Sequence, residues 1–175
     1  FKSVEHFCDL PAEARKFIAG IPHQYTDAVN LDGYYFGSMA GAGYFKQAIA
    51  QNNPGISKAL DMIPQQGQIT KKHYVDFVTE YSKVFDGNYI ATSTRLLAMK
   101  RPDVFICFDS KNKQRLCKDF DIPANNMDYE RYWTDIVETI FECEWWQNPA
   151  PSTKNEHIVS EARAAFLDSL YYVYE

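Results

Sequence analysis

The chain has 175 residues, of which 46% are apolar and 15% are aromatic. This composition can build a hydrophobic core and excludes an intrinsically disordered protein. The net charge of −5 argues against a protein that coats nucleic acid nonspecifically. No apolar run approaches the roughly 18 residues of a membrane span, so we expect no membrane partner.

The sequence starts at Phe1 rather than Met, which predicts a piece of a longer chain, and no basic and apolar leader opens it. A protein partner or a neighbouring domain is therefore expected. Cys8, Cys107, Cys117 and Cys143 lie far apart and form no close pair. This spacing predicts reduced thiols in a cytoplasmic protein, with no metal site and no cofactor.

The first part of the chain, residues 1–69, has an irregular pattern. Short helices bounded by proline are predicted at 11–19 and 55–63. The stretch "GSMAGAGYF", at 37–45, contains three of the eight glycines but not the lysine of a phosphate-binding loop. It is interpreted as a small-residue helix face that packs closely against a neighbour.

Two helices are predicted in the central part of the chain, residues 70–122. The first, 71–85, carries apolar residues at helical spacing after Thr70, a favourable N-cap. The sequence Asp86-Gly87 then breaks the helix, and a second helix, 89–99, ends before Pro102.

An apolar run, residues 104–108, is the only predicted strand, and it ends at Asp109. A basic helix, 110–119, is predicted to follow. Because one strand cannot make a sheet, the predicted fold class is all-α.

The last part of the chain, residues 123–175, is predicted to contain the amphipathic helices 128–143 and 155–172. With the two preceding parts it makes a single helical domain over 1–175.

Positive charge is concentrated in residues 95–118, which carry a net charge of +5 in an acidic chain. The seven cations are Arg95, Lys100, Arg101, Lys111, Lys113, Arg115 and Lys118. This segment is either a solvated face or a surface that contacts a phosphate backbone. Arg115 could face a phosphate or pair with Asp119 or Asp121.

The central segment resembles the helix-hairpin-helix DNA glycosylase superfamily. The resemblance covers residues 70–120, and it rests on the hairpin "FDGNY" at 85–89 followed by the run from Phe108 to Leu116. In that superfamily a catalytic aspartate lies in a pattern like V-D-T-x-V-x-R-[VL], and Asp109 occupies the matching position. The resemblance implies a helix-hairpin-helix-like centre and binding of double-stranded DNA.

By the same resemblance, Asp109 is the predicted catalytic residue, which would stabilise an oxocarbenium-like sugar cation or orient a water. Its alternative role is to cap helix 110–119. If Asp109 is catalytic, an aromatic-lined pocket for the extruded base should adjoin it. The predicted DNA-binding residues are Gly87, Asn88, Lys100, Arg101, Lys111, Asn112, Lys113 and Arg115.

The chain also departs from the superfamily pattern. The hairpin usually reads L-P-G-[VI]-G, whereas here Tyr89 replaces the second glycine. Ala91 and its neighbours stand where lyase-competent members carry a lysine, and the cysteines of an iron–sulfur centre are missing. A degenerate glycosylase, a noncatalytic DNA reader and a protein-interaction module of a restriction, phage-defence or regulatory assembly therefore stay open as alternatives.

Three tryptophans have two possible roles. Trp133, Trp145 and Trp146 could form a base-stacking surface, or they could belong to the core or to an interface.

Overall fold

The structure is a computed structural model that describes residues 4–24, 38–149 and 151–173. Within these ranges it contains helices and turns but no β-strand, so the predicted all-α class is confirmed. A 3-10 turn, Phe7–Asp9, opens the described chain. The helices are α1 (Ala12–Ile18), α2 (Gly43–Ala50), α3 (Pro54–Asp61), α4 (Lys71–Ser82), α5 (Ile90–Lys100), α6 (Lys113–Asp119), α7 (Tyr129–Arg131), a π-helical segment (Tyr132–Val137), α8 (Glu138–Glu142), α9 (Glu144–Gln147), α10 (Lys154–Ser160) and α11 (Leu167–Tyr171).

Helix α4 has the apolar spacing that predicted it. Thr70 caps its N-terminus by accepting a hydrogen bond from the His73 N–H. Its inward residues, Tyr74, Phe77 and Tyr81, are buried and their rings stack in sequence. The stack continues into Trp133 of the π-helical segment, with the ring centroids of Tyr74 and Trp133 5.2 Å apart. These aromatic contacts fix the centre of the core.

Helix α5 is buried although much of it is polar. Thr92, Ser93 and Thr94 are each buried, and each hydroxyl donates a hydrogen bond to a carbonyl of the preceding helical turn. These bonds satisfy the hydroxyl groups inside the protein and remove the cost of burying them unpaired.

The predicted strand 104–108 is wrong: the segment is buried and contains no strand. No strand lies beside it in the part of the chain that the structure describes, and side chains supply hydrogen bonds that a sheet would give. The bonds join Phe108 N–H to Thr94 Oγ1 (3.0 Å), Ile106 O to the Tyr132 hydroxyl (2.7 Å) and Cys107 O to Asn112 Nδ2 (2.6 Å).

The predicted helix 155–172 is also wrong in extent, because α10 and α11 are separate short helices joined by turns. The Ala165 N–H donates to Pro102 O at 2.9 Å. This tertiary bond uses an amide that an unbroken helix would direct to its own fourth preceding carbonyl.

The small-residue stretch does not form a closely packed face in its described part. A Cβ atom added at Gly41 or Gly43 would meet nothing within 4 Å. Gly37 lies outside the described residues.

Candidate functional site

Asp109 lies in a turn between the buried segment 104–108 and α6. Its side chain is half-buried, and Oδ1 accepts a hydrogen bond from the Lys111 N–H at 2.7 Å. The helix begins only at Lys113, so Asp109 does not cap it in the predicted way. Its side chain instead closes an Asx turn over residues 109–111, before the helix begins. Among the described residues, Oδ2 of Asp109 has no hydrogen-bond partner.

The buried side chain of Asn112 stabilises this turn. It is fully buried, and its Oδ1 accepts a hydrogen bond from the Asp109 N–H at 3.0 Å. Its Nδ2 donates to Cys107 O and to Asp168 Oδ1, each at 2.6 Å. A buried Asn112 cannot contact DNA, so its predicted DNA-binding role is replaced by a structural one.

Asp168 of α11 is a second carboxylate near Asp109 that the sequence analysis missed. It is fully buried, and within the described residues its Oδ2 has no hydrogen-bond partner. Burial raises the pKa of Asp168 to about 7, and the Asp109 charge acts in the same direction. The hydrogen bond from Asn112 and the charge of Arg95 oppose this pKa increase. No motif in the sequence marks Asp168, because its environment comes from a distant part of the chain.

Arg95 does not belong to a surface cation patch. Its side chain is fully buried and donates to Ile18 O at 2.8 Å and to Phe17 O at 3.1 Å. Burial lowers the pKa of Arg95, and the nearby Asp168 and Asp109 charges partly offset this effect. Arg95 therefore supplies positive potential near the two carboxylates.

The predicted DNA contacts at Lys100 and Arg101 do not fit the structure, because both side chains are buried. Lys100 Nζ donates to Leu60 O at 2.6 Å, at the C-terminal end of α3. Arg101 binds the Asp103 carboxylate through two nitrogens, at 2.8 and 2.6 Å. It also donates to the carbonyls of Pro64 and Gly67. These cations stabilise the fold and are not positioned for a phosphate.

The remaining basic residues are carried by α6 and by the turn before it. Lys111 and Lys113 are half-buried, whereas Arg115 and Lys118 are exposed. Among the described residues, no carboxylate pairs with Lys113, Arg115 or Lys118, so pairing of Arg115 with Asp119 or Asp121 is not seen. These three cations form the α6 cation surface.

The hairpin between α4 and α5 contains Gly87 and Asn88, two of the predicted DNA-binding residues. Gly87 is exposed and has a φ of +116°, a conformation that side-chain-bearing residues rarely adopt. Asn88 is exposed but donates through its side chain to Met127 O at 2.7 Å. The Tyr89 N–H donates to the Tyr129 hydroxyl at 3.1 Å, so this N–H is not available to a phosphate.

The tryptophans do not share one stacking surface. Trp133 is buried in the aromatic core, and Trp145 is exposed. Trp146 donates through its indole nitrogen to Asp103 O at 2.8 Å and lies beneath the Arg163 guanidinium, 5.0 Å from the ring centroid.

A groove of about 950 Å³ lies along α9, α10 and α11. Its apolar lining includes Trp145, Val159, Phe166 and Leu170, and Asp109 is not among its lining residues. This groove is therefore not the predicted base pocket beside Asp109.

Two negative findings hold for the described ranges alone. No group of three or more His, Cys, Asp or Glu side chains is arranged to hold a metal ion. No helix there has both the length and the apolar character needed to cross a membrane.

The fold and the site define an all-α protein with two carboxylates beside a basic surface helix. Comparison with protein-family models, with curated proteins and with solved structures finds no match to this chain.

Proposed function

We propose that this chain binds double-stranded DNA and acts on it as a glycosylase-like enzyme, with Asp109 as the catalytic carboxylate. The observation that carries the proposal is the position of Asp109 immediately before the α6 cation surface. Its carboxylate is fixed at Oδ1 by the Lys111 N–H, while Oδ2 has no partner among the described residues.

The α6 cation surface is the proposed phosphate contact. Lys113, Arg115 and Lys118 have no carboxylate partner in the described chain, so no ion pair there engages their positive charge. Lys111 precedes the helix, and the Gly87–Asn88 hairpin is proposed as a second backbone contact. An acidic protein with one local basic surface would bind DNA at that surface alone.

The proposed chemistry uses the carboxylate of Asp109 beside the sugar of an extruded nucleotide. The bond between the base nitrogen and C1′ breaks, and its electron pair leaves with the base. The negative charge of Asp109 stabilises the cation that develops on the sugar. Water then adds to C1′ and loses a proton that neutralises the released base, which completes hydrolysis.

The chain has no basic residue at the position of the lyase lysine, since Ile90 and Ala91 begin α5 there. The proposed reaction therefore ends at base release and does not cut the DNA strand.

The free state of all four cysteines supports placing this protein in a reducing compartment, the cytoplasm.

A protein-interaction module is the second candidate function. The groove along α9 to α11 favours it, because Val159 and Leu170 are 51% and 69% exposed and large apolar side chains at a surface often mark binding sites.

Duplex binding measured against salt concentration tests the proposed DNA contact. The double variant Lys113→Glu/Arg115→Glu should bind a short duplex at least tenfold more weakly than the unmodified protein at low salt. Lys154→Glu is the matched control, because Lys154 is exposed on α10 and has no carboxylate partner in the described chain. Equal binding by all three proteins would contradict the proposed interface.

A further inference from the structure

Asn112 joins the two carboxylates of the site through a single buried amide group. Its Oδ1 accepts from the Asp109 N–H at 3.0 Å, and its Nδ2 donates to Asp168 Oδ1 at 2.6 Å. The second Nδ2 proton is directed to Cys107 O. All three bonds lie inside the protein, since Asn112 and Asp168 are fully buried.

Backbone hydrogen bonds also join the C-terminal segment to the chain on either side of Asp109. The Ala165 N–H donates to Pro102 O at 2.9 Å, on the N-terminal side of Asp109. The Val173 N–H donates to Lys111 O at 3.1 Å, after Asp109. The Asp168 side chain lies between these two points in the sequence, so residues 165–173 bond to the chain on both sides of Asp109 and to Asn112.

The orientation of the Asn112 amide depends on Asp168. Two acceptors, Cys107 O and Asp168 Oδ1, face Nδ2 and therefore keep Oδ1 turned toward the Asp109 N–H. Without Asp168, one Nδ2 proton would lack a buried partner, which is costly, and the amide would lose one of the contacts that fix its orientation.

We propose that Asp168 is a positioning residue for Asp109, that it acts through the Asn112 side chain, and that α11 thereby controls the order of the catalytic turn. The inference rests on the proposed role of Asp109 and assigns a means of regulation to the same site. A carboxylate held this way keeps its Oδ2 in one place relative to the α6 cation surface.

The charge on Asp168 should affect this contact. An ionised carboxylate accepts a stronger hydrogen bond from Nδ2 than a protonated one does. The groups that act on Asp168 are the carboxylate of Asp109, the guanidinium of Arg95 and the buried thiol of Cys107, besides the neutral amide of Asn112. Because the pKa of Asp168 is about 7, the strength of its hydrogen bond with Asn112 should change around neutral pH, while ionisation of the buried carboxylate lowers the stability of the fold.

Amide hydrogen exchange of the whole chain, followed by NMR, tests the inference without DNA. Asp168→Ala should increase exchange of the Asp109 amide by about tenfold relative to the Phe108 amide, which bonds to Thr94 instead. Asp168→Asn keeps an acceptor oxygen and should preserve most of the protection. Leu170→Ala is the matched control, because Leu170 lies on the same helix and is 69% exposed.

An equal change at Asp109 and Phe108 would indicate general destabilisation and would overturn the inference, as would unchanged protection. If Asp168→Ala does not fold, the pH titration of the unmodified protein decides. The Asn112 side-chain NH₂ signals and the Asp109 N–H signal should shift with a common midpoint near pH 7, and Asp168→Asn should abolish that transition. Absence of a shared midpoint would contradict the inference.

Base release from a duplex, measured against pH with the same proteins, separates this inference from the proposed function. The unmodified protein should show an inflection near pH 7 that Asp168→Asn lacks, whereas a purely structural role would leave the profile shape unchanged. If no protein releases a base at any pH, the proposed function is wrong, and the exchange data still decide whether Asp168 positions Asp109.

Discussion

Asp168 Oδ1 accepts a hydrogen bond from Asn112 Nδ2 at 2.6 Å, although the two residues are 56 positions apart in the chain. This bond ties the C-terminal helix α11 to the turn that carries Asp109. It also places a buried carboxylate with an unpartnered oxygen, within the described chain, close to a second carboxylate. We therefore expect the stability of this site to depend on pH.

The stability of the protein should increase as pH falls from about 7.5 to 5.5. The pKa of Asp168 is about 7 in the folded protein and close to 3.8 in an unfolded chain, so the folded state binds more protons in this range. The expected gain in the free energy of unfolding is about 2 kcal/mol. Urea denaturation at several pH values measures it.

Asp168→Asn is the control for this pH effect, because it removes the titrating group. His6 acts in the same direction, since its hydrogen bond to Asp61 raises the pKa of the imidazole. The difference between the two proteins cancels the His6 contribution. A difference that does not vary between pH 5.5 and 7.5 would show that Asp168 does not titrate there.

Thr94→Val should destabilise the protein by about 2 kcal/mol while keeping the side-chain shape. The Thr94 hydroxyl is the acceptor for the Phe108 N–H, which would lose its partner inside the core. Thr79→Val is the matched control, because the Thr79 hydroxyl bonds to Val75 O at the surface. Thermal denaturation of both variants checks the prediction, and equal melting temperatures would contradict it.

The sequence predicts the helices whose inward residues are apolar, and it fails where polar groups are satisfied by distant backbone. Tyr74, Phe77 and Tyr81 repeat at helical spacing, so α4 could be predicted to begin at Lys71, where it does. Arg95 looks like a surface cation until the carbonyls that bind it, those of Phe17 and Ile18, are brought to it by the fold.

The candidate site, too, could be predicted only in part from the sequence. The place of Asp109 at the end of an apolar run and before a basic helix is readable from residue order. Its turn with Lys111 and its link through Asn112 to Asp168 are not, because they depend on contacts from α11. At the break between α10 and α11, the Ala165 N–H likewise bonds to a distant group, Pro102 O.

Arg101→Met should lower the free energy of unfolding by about 3 kcal/mol, since it removes hydrogen bonds to Asp103 and to the carbonyls of Pro64 and Gly67. Arg115→Met, at an exposed position without a carboxylate partner in the described chain, should change stability little. The order should be reversed for duplex binding. Arg115→Met should bind the duplex more weakly than the unmodified protein, and folded Arg101→Met should bind it equally well. Chemical denaturation measures the stability of each variant, and a titration with a short duplex measures its binding. Weaker duplex binding by folded Arg101→Met would indicate that Arg101 contributes to the DNA interface.

Asp109→Asn separates catalysis from folding at the centre of the proposed site. Asn can still accept the Lys111 N–H and form the same turn, so the melting temperature should stay close to that of the unmodified protein. Duplex binding should become tighter, because a negative charge near the phosphates is removed. A titration with a short duplex at fixed salt measures this change, and weaker binding would contradict it.

Base release from a panel of duplexes carrying damaged or modified bases, compared between the unmodified protein and Asp109→Asn, is the most direct test of the proposed enzyme. We expect the unmodified protein to release at least one base and Asp109→Asn to release none while it remains folded and bound to the duplex. Release at equal rates by both proteins, or no release by the unmodified protein from any duplex, would contradict the catalytic role of Asp109.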